Sequence, residues 1–270
     1  MKVNIINADT TLFIILIISI LTLIILFYLK LLKNLKVSTS IDTLQIKIRA
    51  WSNKSLSILI LYIILFYIIV SGISYFFHDS ITHLVKVIST CIFYILIGLI
   101  IYKLKKHNEA NKVLGLQKEG IQYVKWVIPI YISLLPIFII IIILNSIILS
   151  DIFNIEIERQ EITNLMHDIK NPVHIFYIII AIFLAPFFEE VLFRGILLPK
   201  IFQKTNFTLS IILISIIFSI LHFHISAILP LFTLSLFLSL LYFWNGSLWT
   251  CIAFHMLFNA CSIVLLILNN

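Results

Sequence analysis

The chain alternates long apolar runs with short charged segments. Because an α-helix needs about 20 apolar residues to cross the hydrocarbon core of a bilayer, we interpret each run as a transmembrane span. The runs cover residues 12–29, 56–77, 84–102, 126–149, 174 to at least 198, 207 to about 229, a seventh ending near 244, and 247–268. The pattern predicts an all-α, polytopic membrane helical bundle of about eight transmembrane helices, with Pro230 at the least certain boundary.

The charges between the runs predict an orientation. The segments after spans one, three and five are basic, and the segment after span four is acidic. Since basic loops stay on the cytoplasmic face, odd spans are expected to end in the cytoplasm, with both termini outside. The basic and apolar stretch 105–125 is expected to form an interfacial amphipathic helix. We expect a multi-pass protein of the cell membrane.

Composition supports a bilayer environment. Hydrophobic residues make up 61% of the chain and charged residues only 11%, too little polar surface for a water-soluble domain. The net charge of +7 is therefore attributed to loops facing anionic lipid, and no nucleic-acid partner is expected. Cys91, Cys251 and Cys261 lie in apolar runs and are expected to be free thiols. The first apolar run is too long for a signal peptide and is expected to be a retained span.

The fifth run carries charges that an apolar span does not need. Glu189, Glu190 and Arg194 lie within it, although a charge at mid-bilayer costs at least about 2.5 kcal/mol. Glu190 and Arg194 are four residues apart and predict an ion pair on one helix face. Glu189 then faces another surface without a local partner. It could serve as a general base or acid, or as a hydrogen-bonded packing group.

Two later apolar runs contain histidine and asparagine side chains. In the sixth run His222 follows Phe218 by one helical turn, and His224 comes two residues later. In the eighth run His255 and Asn259 share one helix face. If the sixth helix continues to residue 229, His222 lies about 6 Å beyond its centre and can reach the level of Glu189. If that helix stops near His224, His222 lies near the membrane surface and is not expected to reach Glu189.

These groups suit hydrolysis by water. We assign Glu189 and His222 to water activation, and His255 and Asn259 to hydrogen bonds with the oxyanion. The chain has no G-x-S-x-G or H-E-x-x-H motif, so neither a serine elbow nor that zinc motif is indicated. We expect no cofactor and no metal. A zinc site made by Glu189, His222 and His255 is the alternative.

The ordered motifs resemble a known family. Glu189-Glu190-x-x-x-Arg194, Phe218-x-x-x-His222 and His255-x-x-x-Asn259, with the turn Gly246-Ser247-Leu248-Trp249, are similar to those of the CPBP family. This family of CAAX proteases and bacteriocin-processing enzymes is also called Abi. The resemblance covers residues 174–268. It implies an intramembrane endopeptidase of glutamic rather than metalloprotease type, with the same site residues around a conical cavity open to membrane and cytoplasm.

The predicted organisation is two regions. Residues 1–173 would form four N-terminal spans with basic cytoplasmic loops, and residues 174–270 a catalytic helical core. The leading functional hypothesis is cleavage of a membrane-associated or lipidated peptide, as in CAAX, bacteriocin or pheromone processing. The alternative is a non-catalytic membrane protein of bacteriocin self-immunity. A proton-relay transporter is disfavoured because the intramembrane charge lies in one half of the chain.

Overall fold

Every element that the structure describes is a helix. A computed structural model describes residues 54, 56–63, 65, 68, 82–105, 114–154 and 172–268. Within these ranges there is no β-strand, so the predicted all-α class is confirmed. The predicted first span, most of the second and the predicted acidic loop after residue 154 lie outside the described residues.

Six principal helices build the described part of the chain. They are α1 (Thr82–Lys105), α2 (Val127–Ile147), α3 (His174–Lys204), α4 (Phe207–Ile220), α5 (Ile228–Asn245) and α6 (Leu248–Leu268). Four described helical stretches are long and apolar enough to cross a membrane: Lys118–Ile152, His174–Lys204, Ile225–Asn245 and Leu248–Leu268. The total of about eight spans stays a prediction, as do the orientation and the division at residue 174.

Helix α4 is shorter than the sequence suggested. The prediction that the sixth helix continues to residue 229 is wrong, since α4 ends at Ile220 and His222 lies in the turn that follows. The imidazole Nδ1–H of His222 donates to the carbonyl of Phe218 at 2.7 Å. A side chain that occupies a carbonyl of the last turn caps a helix. Phe223 then takes a φ of 53°, which reverses the chain direction.

The turn after α4 is held from a neighbouring helix. Asn145, buried in α2, donates its side-chain amide to the carbonyl of Ser226 at 2.8 Å. Pro230 falls in the first turn of α5, where its missing N–H costs no helical hydrogen bond. The predicted break near Pro230 is therefore real, but the turn precedes the proline by several residues.

The segment before α2 packs on the start of α6. For residues 118–126 the predicted amphipathic helix is a 3₁₀ helix, Lys118–Trp126, none of whose side chains is fully buried. Gly115 turns the chain into it with a φ of 78° and accepts a hydrogen bond from the amide of Leu248 at 2.9 Å. The Ser247 hydroxyl donates to the Gly120 carbonyl at 3.2 Å. These bonds fix the turn between α5 and α6.

One hydrophobic core joins α2, α3, α4, α5 and α6. Leu134, Ile196, Ile214, Leu234 and Phe254 come from these five helices and are each fully buried within it. Apolar side chains on the outer faces of the helices stay exposed, as lipid contact requires. The core therefore includes residues from both sides of position 174.

The contact between Gly120 and Ser247 can be tested by adding a methyl group. A Cβ at position 120 would lie 2.8 Å from the Cβ of Ser247, closer than packed carbons approach. Gly120→Ala should therefore destabilise the protein by about 1–3 kcal/mol. The measurement is the midpoint of thermal unfolding in detergent.

The matched control is Gly98→Ala in α1, where the added Cβ would meet the ring of Phe188 at an ordinary 3.4 Å. Its midpoint should equal or exceed that of the wild type, since alanine favours the helix. Equal midpoints for the two variants would contradict the packing described here.

Candidate active site

Helix α3 changes its hydrogen-bond pattern beside the paired carboxylates. It is α-helical from Ala185 to Glu190 and π-helical at Ile180–Leu184 and Val191–Leu197. π-Helical segments inside α-helices are often found at functional sites. Both segments supply site contacts, the first through a backbone carbonyl and the second through Arg194.

Glu190 and Arg194 form the ion pair that their spacing predicts. Nη1 of Arg194 donates to Oε1 of Glu190 at 2.8 Å, and both side chains are completely buried. Nη2 of Arg194 donates to the hydroxyl of Ser235 at 2.8 Å and to its carbonyl at 3.0 Å. The guanidinium therefore joins α3 to α5, and its charge is compensated within the protein.

Glu189 faces the two predicted imidazoles. Its Oε2 lies 3.8 Å from Nε2 of His222 and 3.8 Å from Nε2 of His255. The side chains of Glu189 and His222 are 23% and 28% exposed, whereas that of His255 is only 2% exposed. Three helical regions thus meet at one carboxylate, whose side chain stays partly exposed.

Hydrogen-bond partners define both imidazole orientations. Nδ1 of His222 lies 2.7 Å from the carbonyl of Phe218, and Nδ1 of His255 lies 2.9 Å from Oε1 of Glu190. A carbonyl and an ionised carboxylate only accept hydrogen bonds, so we place a proton on each Nδ1. In the neutral rings, both Nε2 lone pairs then face the carboxylate of Glu189.

Phe218 lies close to both imidazoles and to the buried arginine. Its fully buried ring lies 4.5 Å from the ring of His222 and 5.8 Å from the ring of His255. The guanidinium carbon of Arg194 lies 5.0 Å from the same ring centroid. This geometry permits a cation–π contact between Arg194 and Phe218.

Asn259 lies one helical turn beyond His255 on α6. Its Nδ2 donates to the carbonyl of Ala181 at 2.9 Å, within the first π-helical segment of α3. Asn259 therefore ties α6 to α3 with one of its two amide hydrogens. Within the described residues, His224, the other histidine of the turn after α4, makes no hydrogen bond or ion pair with Glu189.

Two residues that make site contacts were not singled out from the sequence. Ser235 anchors Arg194, and Asn145 anchors the turn that carries His222. An asparagine in an otherwise apolar run is a usable signal. A serine is not, because Ser210, Ser215, Ser219 and Ser239 are equally buried.

Three of the site side chains are of types that can bind a metal. Among the described residues, no group of three or more His, Cys, Asp or Glu side chains is placed to hold a metal ion. The expectation of no metal and the alternative of a zinc site at Glu189, His222 and His255 both stay predictions, and we assign no step to a metal.

Comparison with known proteins identifies the C-terminal part of the chain. Residues 171–261 match the family model "Rce1-like", described as type II CAAX prenyl endopeptidase Rce1-like. No curated protein and no solved structure is significantly similar to the chain. The matched third of the chain contains Glu189, the buried ion pair, both imidazoles and Asn259. Together with the apolar helices, this match shows an integral membrane protein. Residues 171–261, about a third of the chain, are therefore similar to the CAAX prenyl endopeptidases that this family model describes.

Proposed function

We propose that this chain is an intramembrane endopeptidase that cleaves a lipidated CAAX-type peptide with water activated by Glu189 and His222. The observation that carries the proposal is the position of Glu189, 3.8 Å from two imidazole nitrogens whose partner nitrogens are already hydrogen-bonded. The family match supports endopeptidase chemistry. The division of roles among the residues is our proposal.

The spacing of Glu189 and His222 suits a bridging water. A separation of 3.8 Å is too long for a direct hydrogen bond. A water about 2.8 Å from each atom would close that gap with an angle of about 85° at its oxygen. It would donate one hydrogen to Oε2 of Glu189 and one to Nε2 of His222. Its remaining lone pairs would then be available for attack.

The oxyanion role that we propose for His255 requires a hydrogen on its Nε2. Nδ1 of the same ring lies 2.9 Å from Oε1 of Glu190. A ring with hydrogens on both nitrogens would donate to Glu190 through Nδ1 and to the oxyanion through Nε2.

The proposed hydrolysis balances without a covalent intermediate. Water oxygen attacks the scissile carbonyl carbon while Glu189 takes one water proton. The carbonyl oxygen becomes an oxyanion that accepts hydrogen bonds from Nε2–H of His255 and from the unpaired amide hydrogen of Asn259. Glu189 then gives its proton to the leaving amide nitrogen, the oxyanion re-forms a carbonyl as the C–N bond breaks, and a carboxylic acid and an amine are released. The acid then gives its proton to the amine, so that the products leave as a carboxylate and an ammonium.

The surroundings of His222 suit a lipidated substrate. Ile220, Leu221 and Phe223 flank it and are 56%, 45% and 76% exposed. The accessible side of the site is therefore bordered by apolar surface. A prenyl chain next to a CAAX scissile bond could lie there while the peptide reaches Glu189.

Removing the proposed base should abolish most turnover. Glu189→Gln keeps the shape of the side chain but cannot accept the water proton, so kcat should fall by about 10²–10⁴. The assay uses purified protein in detergent and an internally quenched peptide ending in a farnesylated CAAX sequence. Glu119→Gln, at an exposed position of the 3₁₀ helix, is the matched control and should retain wild-type turnover. Turnover of Glu189→Gln above half that of the wild type would refute the assignment and favour a non-catalytic role.

The zinc alternative makes a different prediction. We expect turnover to stay within about twofold after dialysis against EDTA and 1,10-phenanthroline, because water activation is assigned to side chains alone. Metal content is measured by mass spectrometry before and after dialysis. Loss of turnover with stoichiometric loss of zinc, both reversed by adding zinc, would replace our mechanism with the metal-dependent one.

Asn259 should affect kcat more than KM. Asn259→Ala removes a proposed oxyanion donor, and such donors contribute about 10²–10³ to kcat. The same variant also loses the bond to Ala181, so thermal unfolding is measured in parallel. Destabilisation without a selective fall in kcat would restrict Asn259 to holding α6 against α3.

A further inference from the structure

We infer that Ser235 of α5 is a positioning residue for His255 and that it acts through Arg194 and Glu190. Ser235 lies outside the three ordered motifs. Its predicted kinetic effect rests on the proposed peptidase function, but its structural effect on His255 can be measured without any substrate.

The contacts form an unbroken series across three helices. The Ser235 hydroxyl and carbonyl both accept from Nη2 of Arg194, at 2.8 and 3.0 Å. Nη1 of the same guanidinium donates to Oε1 of Glu190 at 2.8 Å. That oxygen also accepts from Nδ1 of His255 at 2.9 Å. The ring of His255 is thus oriented by a carboxylate whose own position depends on Arg194.

Few other contacts could hold these side chains in place if one bond of the series were lost. Ser235, Glu190 and Arg194 are completely buried, so water cannot readily replace a lost bond. Within the described part of the chain, Oε2 of Glu190 and Nε of Arg194 have no hydrogen-bond partner. Both donors to Glu190 therefore share Oε1. A shift of the guanidinium would move that oxygen and with it the imidazole of His255.

Ser235 differs from the neighbouring buried serines. Ser210, Ser215 and Ser219 on α4 and Ser239 on α5 each donate to a carbonyl three or four residues back in their own helix. Such bonds satisfy the hydroxyl within its own helix and do not connect one helix to another. In the described helices α4 and α5, Ser235 is the serine whose hydroxyl meets a charged group. Its bond is charge-assisted and correspondingly stronger.

The kinetic test compares Ser235→Ala with Ser215→Ala. Hydrogen bonds to charged groups contribute more than neutral ones, but the carbonyl of residue 235 would still hold Arg194 in the variant. We therefore expect Ser235→Ala to lower kcat by about 3–30-fold, with KM within twofold. Ser215→Ala loses only a bond within α4 and should keep wild-type kcat. The assay is the farnesylated CAAX peptide assay described above.

Conservative variants separate the hydroxyl from packing. Ser235→Thr keeps the hydroxyl and should retain most of kcat, whereas Ser235→Cys keeps the size but is a weak acceptor and should lose it. If Ser235→Ala does not fold, the comparison of Ser235→Thr with Ser235→Cys tests the inference in its place. Equal kcat for Ser235→Thr and Ser235→Cys would overturn the inference.

A spectroscopic test keeps this inference separate from the proposed function. In protein labelled with ¹⁵N-histidine, the Nδ1 resonance of His255, assigned through its loss in His255→Gln, should shift in Ser235→Cys but not in Ser215→Ala. If the wild type does not cleave the peptide, the proposed function fails while this resonance still decides the role of Ser235. An unchanged resonance in Ser235→Cys overturns the inference even if the wild type is active.

Discussion

A completely buried ion pair determines the arrangement of the site. Glu190 and Arg194 cannot be left uncompensated away from water, so each must be satisfied inside the bundle. Arg194 reaches α5 and Glu190 reaches α6. Through these two side chains, α3 fixes the position of a serine and a histidine on its neighbours. The ion pair is thus more than a local helix contact, since it sets the geometry between three helices.

The same constraint explains why two adjacent carboxylates differ. Glu190 has its hydrogen bonds to Arg194 and His255 and no exposure, so it is committed to structure. Glu189 points to another surface, keeps 23% exposure and faces two Nε2 atoms without a direct hydrogen bond. A carboxylate that is accessible and not yet satisfied is the one suited to proton transfer. The buried pair leaves Glu189 free for the proton transfer that we propose.

The position of His222 depends on how helix α4 ends, and the residue's depth along an ideal helix does not give it. From the sequence, a short sixth helix was expected to leave His222 too far from Glu189. Helix α4 is short, yet the two residues meet. The ring caps the helix through Phe218, and Phe223 reverses the chain immediately afterwards. Helical rise per residue could not reveal this, because it assumes that the helix continues through the site residue.

The sequence by itself determined the helical class, most boundaries from residue 82 onward, the Glu190–Arg194 pair and the candidate site residues. Those features follow from apolar run length, i,i+4 spacing and the cost of charge in hydrocarbon, all of which are local properties. Only the tertiary structure decided that His255 binds Glu190, that Asn259 binds Ala181, and that Ser235 holds Arg194. These contacts depend on the rotation and depth of one helix against another, which packing sets and no single run of sequence encodes.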